Sequence, residues 1–341
     1  MTDHALASAR PARRRRLPLV AALTLVLAAG ALTALAIGPF RLSLPEVLAA
    51  LTGRAGGQAE VVIWNIRLPR VLAAMLVGAA LAAAGASYQV LFRNPLVSPD
   101  ILGVSSGAAL GAVCGIFLSL PMIAIQGFAF LGGLAAVSLV IFIAQAVRGV
   151  DQTLVLVLTG VVMGALAGAA TSLLKVMADP YDQLPAITFW LLGSLARTTS
   201  ADLGLVLPSV ALGLVPLILL RWRINLLSLG DDEARALGVD AQKLRLLVIA
   251  AATLITASVV AIAGVVGWVG LVIPHIARML VGPSFATLLP VSAIIGAGYL
   301  LLVDTLSRTM ATIEIPLGIL TAVLGAPFFL YLLARGRRGW A

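Results

Sequence analysis

The chain has 341 residues, of which 61% are hydrophobic and only 11% are charged. A soluble globular domain carries about 25% charged residues, so this composition excludes a soluble enzyme and indicates an integral membrane protein. The formal net charge of +9 does not indicate nucleic-acid binding, because basic residues at the ends of membrane spans give the same excess and no basic surface is interleaved with aromatic residues.

Long apolar stretches recur along the chain. A membrane-spanning helix needs about 20 apolar residues, and helices satisfy their own backbone hydrogen bonds in lipid, so we predict an all-α polytopic membrane protein. The expected spans are 17–37, 71–92, two within 101–147 divided near Pro121, 152–174, 203–220, a full helix and a broken half helix within 246–277, 279–303 and 315–334. The count is nine or ten, and ten is favoured.

Basic residues indicate the orientation of these spans. With ten spans, the arginines of both terminal segments, Arg93, Arg148 and the basic residues of 221–245 fall on one side, which the positive-inside rule assigns to the cytoplasm. We therefore expect both termini in the cytoplasm. The predicted organisation is a basic tail at 1–16, a single transmembrane domain at 17–335 and a tail at 336–341.

Two segments are neither spans nor simple turns. The apolar stretch 184–195, on the outer side, is too short to cross and predicts a short helix lying in the interface or dipping into the membrane. On the cytoplasmic side, 227-LLSLGDDEARALGVDAQKLRLL-248 places a cluster of charges between Gly230 and Gly238. Its apolar residues follow rough helical spacing, which favours two short helices under the membrane. A solvated loop is an equal alternative on this pattern alone.

No stretch of the sequence has a pattern for nucleotide binding or catalysis. The two lysines, Lys175 and Lys243, do not follow glycines, so there is no phosphate-binding P-loop. One cysteine and two histidines do not supply the ligands of a structural metal site. We expect no catalytic residue, no metal and no cofactor bound by this chain. An intramembrane enzyme would need a nucleophile–base pair at mid-depth, and none is visible.

Acidic residues bear on whether the chain works as a secondary carrier. Proton-driven carriers bury carboxylates in the middle of their spans, whereas here Asp151, Asp179, Asp202 and Glu314 lie at span ends. Asp304 is four residues before Arg308 near an outer end, so these two can pair on one helix face. A proton or sodium relay is poorly supported, and the chain is expected to depend on an external source of energy.

Three stretches, in chain order, resemble one family. They are 67-RLPRVLAAMLVGAALAAAGASYQVLFRNPLVSPDILGVSSGAALG-111, 264-GVVGWVGLVIPHIARMLVGP-283 and 315-IPLGILTAVLGAPFFLYLL-333. They resemble permease subunits of type II ATP-binding-cassette (ABC) importers, which take up iron–siderophores, haem and cobalamin. The resemblance runs from about residue 60 to the C-terminus. It implies a homodimer in the bacterial inner membrane, two cytoplasmic ATPase subunits that hold ATP and Mg²⁺, and a periplasmic binding protein.

The resemblance also implies roles for particular residues. A coupling segment at 227–241 carries the pattern L-G-x-x-x-A-x-x-L-G, which in this family contacts the ATPase. Its matching residues are Leu229, Gly230, Ala234, Leu237 and Gly238. Docking of the binding protein is implied for three arginines, with snorkelling to lipid headgroups as the alternative. These are Arg67, Arg70 and Arg308.

A translocation path is implied along the fifth span and the short helix at 184–195, with a contribution from the last span. The path residues are Met163, Thr171, Ser172, Lys175 and Met177. A lysine near the outer mouth favours an anionic cargo. We therefore expect the permease of an importer for an iron chelate (ferric siderophore or haem) or a cobalamin-like molecule. A molybdate or other oxyanion importer of the same family is the alternative, and a secondary carrier is a weaker one.

Overall fold

The computed structural model describes residues 3–38, 40–54, 56–147 and 151–335, and all regular elements in these residues are helices. They are α1 (Asp3–Ala36), α2 (Leu44–Leu51), α3 (Gly57–Val61), α4 (Leu68–Leu91), α5 (Val104–Phe117), α6 (Met122–Ala146), α7 (Gln152–Met177), α8 (Gln183–Leu192), α9 (Ser200–Leu219), α10 (Arg221–Leu226), α11 (Asp231–Ala236), α12 (Ala241–Ala263), α13 (Val269–Val281), α14 (Phe285–Ser307) and α15 (Leu317–Arg335). A π-helical turn, Val62–Arg67, joins α3 to α4, and a 3₁₀ turn, Pro99–Leu102, precedes α5. The predicted all-α class is confirmed.

The long helices account for most of the expected membrane crossings. Seven helical stretches in the described residues are long and apolar enough to span a bilayer: Pro18–Ala36, Gly57–Leu91, Met122–Ala146, Gln152–Met177, Ser200–Leu219, Ala241–Ala263 and Phe285–Ser307. The apolar helices α5, α13 and α15 lie at the three other positions where the sequence predicts a span or a half helix. The helix α8, with ten residues, is the short outer helix expected at 184–195.

Contacts between helix ends define two ends of the bundle. At one end, which we call the basic end, the Phe285 N–H donates to Asn225 (3.0 Å) and Arg245 pairs with Asp231 (2.9 Å). At the other, the outer end, the guanidinium of Arg67 reaches the last carbonyls of α1. The basic end is the side that the sequence assigns to the cytoplasm.

Close approach of glycines holds the centre of the bundle together. A Cβ on Gly78 of α4 would lie 2.8 Å from the carbonyl carbon of Gly296 on α14, and a Cβ on Gly85 would lie 2.6 Å from Cα of Gly270 on α13. Such backbone contact is the usual reason for small residues in membrane helices. Most of the small residues therefore serve packing, as expected, but Gly168 of α7 faces open space.

The connection from α4 to α5 turns back into the bundle. Arg93 has a positive φ of 49° at the turn, and the 3₁₀ turn then packs against α7, where a Cβ on Gly160 would lie 2.8 Å from Cα of Leu102. Gly160 is eight residues, or about 12 Å, along α7 from its basic end. Helix α5 therefore starts inside the bundle. This explains why it has only 14 residues although the sequence that follows it is uncharged as far as Val147.

The predicted break after α12 is also present. Gly264 ends α12 with a φ of 69°, and Trp268, at a φ of 71°, starts the short helix α13. The Trp268 indole packs against α15, where a Cβ on Gly325 would lie 2.7 Å from the tryptophan Cβ. A side chain in this region of φ is uncommon, so the contact with α15 is what holds the turn in place.

Two helices begin earlier than the predicted spans. Helix α1 is helical from Asp3, while the division into a tail at 1–16 and a domain from residue 17 stays a prediction. Helix α9 begins at Ser200, three residues earlier than predicted, because Thr199 and Asp202 form a capping box there. The expected C-terminal tail, 336–341, lies outside the described residues.

Candidate coupling, docking and translocation sites

The coupling segment contains one short helix between two glycines. Gly230 and Gly238 flank α11 with φ angles of 133° and 79°, a region of φ that favours glycine. Of the two expected short helices, one is α11, and the other, α10, lies earlier, at Arg221–Leu226. Leu229 and Leu237 present their side chains to the surface, with 54% and 59% of each residue exposed.

Ala234 differs from the other residues of the coupling pattern. It is fully buried and packs into the core of the bundle together with Leu227. Ala234 therefore anchors α11 to this chain, and Leu229 and Leu237 are the apolar residues available to another protein. The sequence pattern could not separate these two roles, because all three residues fall at helical spacing.

Ion pairs fix the segment to the start of α12. The nearly buried guanidinium of Arg245 donates to both oxygens of Asp231 (2.9 and 3.0 Å). Asp240 caps α12 by accepting from the Lys243 N–H at 3.1 Å, and this bond and the Lys243 ammonium group lower the Asp240 pKa. A cavity of about 410 Å³ separates α11 from the ends of α4 and α7, with Arg93, Asp151 and Glu233 on its walls. The segment is thus a charged projection with a rigid base.

The three predicted docking arginines are buried or nearly so. Arg67 is only 5% exposed, and its guanidinium donates to the carbonyls of Leu35 (2.6 Å), Ala36 (3.0 Å) and Phe40. Arg308 similarly donates to Ala34 and Ile37. Both cations therefore cap the C-terminus of α1, where the helix dipole favours positive charge. The guanidinium groups of Arg67 and Arg308 are thus held by backbone carbonyls, and their part in docking stays a prediction.

Arg70 takes part in a network of side chains instead. Its Nε donates to Asp304 (2.9 Å), and its two terminal nitrogens donate to the two oxygens of Glu314 (2.7 and 3.0 Å). The predicted pairing of Asp304 with Arg308 is present at 3.7 Å. The contact between Arg70 and Glu314 was not predicted from the sequence. The sequence shows Glu314 only as an acidic residue at a span end, far along the chain from Arg70.

The predicted path residues do not share one face of α7. Thr171 is buried against neighbouring helices, whereas Ser172 and Met177 are exposed and Met163 and Lys175 are partly buried. The open face of α7 also carries Gly168, beside which no atom lies within 4 Å of a Cβ position. Thr171 therefore does not lie on an open surface of the chain, and the path role of the five residues stays a prediction.

The short helix α8 ends at the meeting point of three other elements. The Ser194 N–H donates to Ala263 at the end of α12 (2.9 Å), and the Leu317 N–H at the start of α15 donates to Gly193 (3.0 Å). Gly193 has a φ of 74°, and a Cβ there would lie 2.8 Å from the carbonyl oxygen of Val265. The end of α8 is thus hydrogen-bonded both to the end of α12 and to the start of α15. No group of three or more His, Cys, Asp or Glu side chains in the described ranges is placed to hold a metal ion.

Comparison with known proteins identifies the family. The model of the FecCD transport family matches residues 25–335. The chain is 41% identical over 322 residues to the molybdate import system permease of Haemophilus influenzae, covering 93% of this chain and 95% of the relative. It is 44% identical over 278 residues to a probable iron chelatin permease of Helicobacter pylori, covering 82% and 84%.

A solved structure agrees with this assignment. The inward-facing structure of a putative metal-chelate type ABC transporter superposes with a TM-score of 0.86 at 40% identity, covering 93% of this chain and 99% of the other. The fold and the helical membrane architecture thus define a polytopic transport protein. The chain belongs to the FecCD transport family, and it is a permease of an ABC importer.

Proposed function

We propose that this chain forms the membrane path for a metal chelate, a ferric siderophore or haem, or for a cobalamin-like molecule, imported into the cytoplasm. Separate ATPase subunits supply the energy, and a periplasmic binding protein delivers the cargo. Two copies of the chain enclose the path, and the complex lies in a bacterial inner membrane with both termini in the cytoplasm. The ATP and Mg²⁺ are held by the partner subunits.

The single observation that carries the ATPase coupling is the geometry of α11. A rigid projection at the basic end displays Leu229 and Leu237, while the buried Ala234 and the Arg245–Asp231 pair tie it to the bundle. Exposed apolar side chains within a charged rim are typical of the core of a protein interface. A fixed base lets a partner's movement reach α12 as rigid-body motion.

The experiment removes the two exposed leucines together. In nanodiscs with the ATPase subunits encoded beside this chain, the double variant Leu229→Ala/Leu237→Ala should lose at least about tenfold in transport, since burying one leucine side chain contributes about 1.5–3 kcal/mol. The matched control Leu44→Ala/Leu48→Ala changes two exposed leucines at the outer end and should transport normally. Equal loss in both variants would contradict the assignment. Uptake in vesicles without any ATPase would favour a secondary carrier.

A molybdate or other oxyanion is the second candidate for the cargo, and the similarity to one relative favours it. A relative named for molybdate matches 93% of this chain, and a relative named for iron chelatin matches 82% at slightly higher identity. Lys175 near the outer end of α7 suits an anionic cargo of either class. Calorimetry of the purified binding protein with molybdate, ferric siderophores, haem and cobalamin decides between them. Micromolar or tighter binding of molybdate alone would replace the chelate proposal.

A further inference from the structure

An apolar stripe runs along the exposed side of α9 and continues into α10. Its members are large, more than half exposed and repeat at helical spacing; they are Leu205, Leu212, Val215, Leu219 and Trp222. The two helices are nearly continuous, because the Leu220 N–H donates to Pro216 (2.9 Å) and the Ile224 N–H donates to Leu220 (2.8 Å). From Leu205 to Trp222 the helical rise is about 26 Å, close to the thickness of the hydrocarbon core. The apolar stripe therefore suits contact with lipid acyl chains along its whole length.

The apolar stripe ends, at the basic end of the bundle, in an aromatic side chain between two arginines. Trp222 is 71% exposed, and its neighbours Arg221 and Arg223 are exposed as well. Tryptophan is enriched where a span leaves the hydrocarbon and meets the lipid headgroups. Successive residues of a helix are about 100° apart, so the two arginines point to opposite sides of Trp222. The stripe thus ends at headgroup level with one cation on each side.

Arg221 and Arg223 have no anionic partner among the residues that the structure describes, since none of the ion pairs there includes them. The carboxylates of the coupling segment that form ion pairs use Arg235, Lys243 and Arg245 instead. A guanidinium group binds phosphate with two parallel hydrogen bonds. The cytoplasmic leaflet supplies phosphates at this level, and its anionic lipids attract basic residues beside a span. The charge and the position of the two arginines are therefore complementary to anionic headgroups.

The same short helix is fixed to the bundle and leads into the coupling segment. Ile224 is fully buried, and the Asn225 side chain accepts a hydrogen bond from the Phe285 N–H at the start of α14 (3.0 Å). Hydrogen bonds of successive turns continue from α10 as far as Leu229, whose N–H donates to Leu226 (3.1 Å). The position of α10 at the membrane surface therefore determines where the coupling segment begins.

We propose that Arg221 and Arg223 bind the phosphates of anionic phospholipids from the cytoplasmic leaflet, with Trp222 inserted between the two headgroups. The bound lipids hold α10 at the membrane surface, and stimulation of the partner ATPase then depends on anionic lipid. This dependence rests on the proposed function, whereas lipid binding by α10 does not.

The first experiment measures binding of phosphatidylglycerol to the full-length chain by native mass spectrometry, with phosphatidylcholine as the neutral competitor. One basic residue at an anionic surface contributes about fivefold in affinity, so Arg221→Gln/Arg223→Gln should weaken the tightest phosphatidylglycerol binding about 25-fold. Arg221→Lys/Arg223→Lys keeps both charges and should keep most of the affinity. The matched control Arg41→Gln/Arg54→Gln removes two exposed arginines at the outer end and should bind as the unmodified chain does. Unchanged affinity in the first variant, or an equal loss in the control, would overturn the lipid site.

The second experiment measures ATP hydrolysis stimulated by the binding protein, in nanodiscs of phosphatidylcholine with and without phosphatidylglycerol. Phosphatidylglycerol should raise hydrolysis by the unmodified complex and by the control, and this gain should be lost in Arg221→Gln/Arg223→Gln. If that variant lost hydrolysis equally in both lipids and kept its lipid affinity, the two arginines would contact the ATPase and the proposal would be wrong. If the unmodified complex showed no stimulated hydrolysis in either lipid, the proposed function would fail, and the first experiment alone would decide on lipid binding.

Discussion

At the residue scale, the crossing of α4 and α14 is governed by Gly78. A Cβ there would lie 2.8 Å from both the carbonyl carbon of Gly296 and the Leu300 Cβ, so Gly78→Ala must push the two helices apart. We expect a loss of about 1–3 kcal/mol in stability, which lowers the thermal unfolding midpoint in detergent. Gly204→Ala on α9, where nothing lies within 4 Å, is the control and should be at least as stable as the unmodified protein, because alanine favours the helix over glycine. Equal midpoints for both variants would contradict this packing.

The buried guanidinium of Arg67 has a structural role that can be separated from docking. Its bonds to the carbonyls of Leu35 and Ala36 are charge-assisted, so Arg67→Gln should cost about 1.5–3 kcal/mol of stability. The exposed Arg41 at the same end provides the control, and Arg41→Gln should leave thermal unfolding in detergent unchanged. If Arg67→Gln weakened only the binding of the binding protein and left stability intact, Arg67 would be a docking residue rather than a cap.

At the scale of elements, substitutions at the turn after α11 can separate the effect of backbone conformation on transport from the effect of side-chain space. Gly238 has a φ of 79° and no atom within 4 Å of a Cβ position, so substitution is opposed by backbone strain alone. Asparagine tolerates this conformation, whereas a β-branched residue does not. Gly238→Asn should therefore keep most of the transport activity, and Gly238→Val should lose most of it in nanodiscs with the ATPase subunits. Normal transport by the valine variant would show that α11 does not need this turn.

At the scale of the whole molecule, local signals predicted the crossings but not the contacts between them. Hydropathy and the lengths of the apolar stretches predicted the two helices on either side of Pro121 and the break at Gly264. These features could be predicted because each depends only on residues that are neighbours in the sequence. The start of α5 was not predictable, since the re-entrant turn depends on packing against Gly160. The Arg70–Glu314 contact joins residues 244 positions apart, and a single sequence contains no local trace of such a pair.

The overall arrangement also predicts which helix faces meet water. Both α7 and α9 expose large apolar residues, such as Val176 and Leu212, but α7 also exposes Ser172 in the middle of its outer half. An exposed polar side chain suits a water-filled path better than lipid, so we predict that the Ser172 side of α7 lines the path. With Cys114 replaced by alanine, Ser172→Cys should react with a membrane-impermeant maleimide, because the thiolate forms in water. Leu212→Cys, equally free of protein contacts but facing lipid, should not react.

The buried position of Thr171 gives a second control, since Thr171→Cys adjoins Ser172 yet should stay unmodified. Labelling of Leu212→Cys alone would place the path on the opposite side of the bundle.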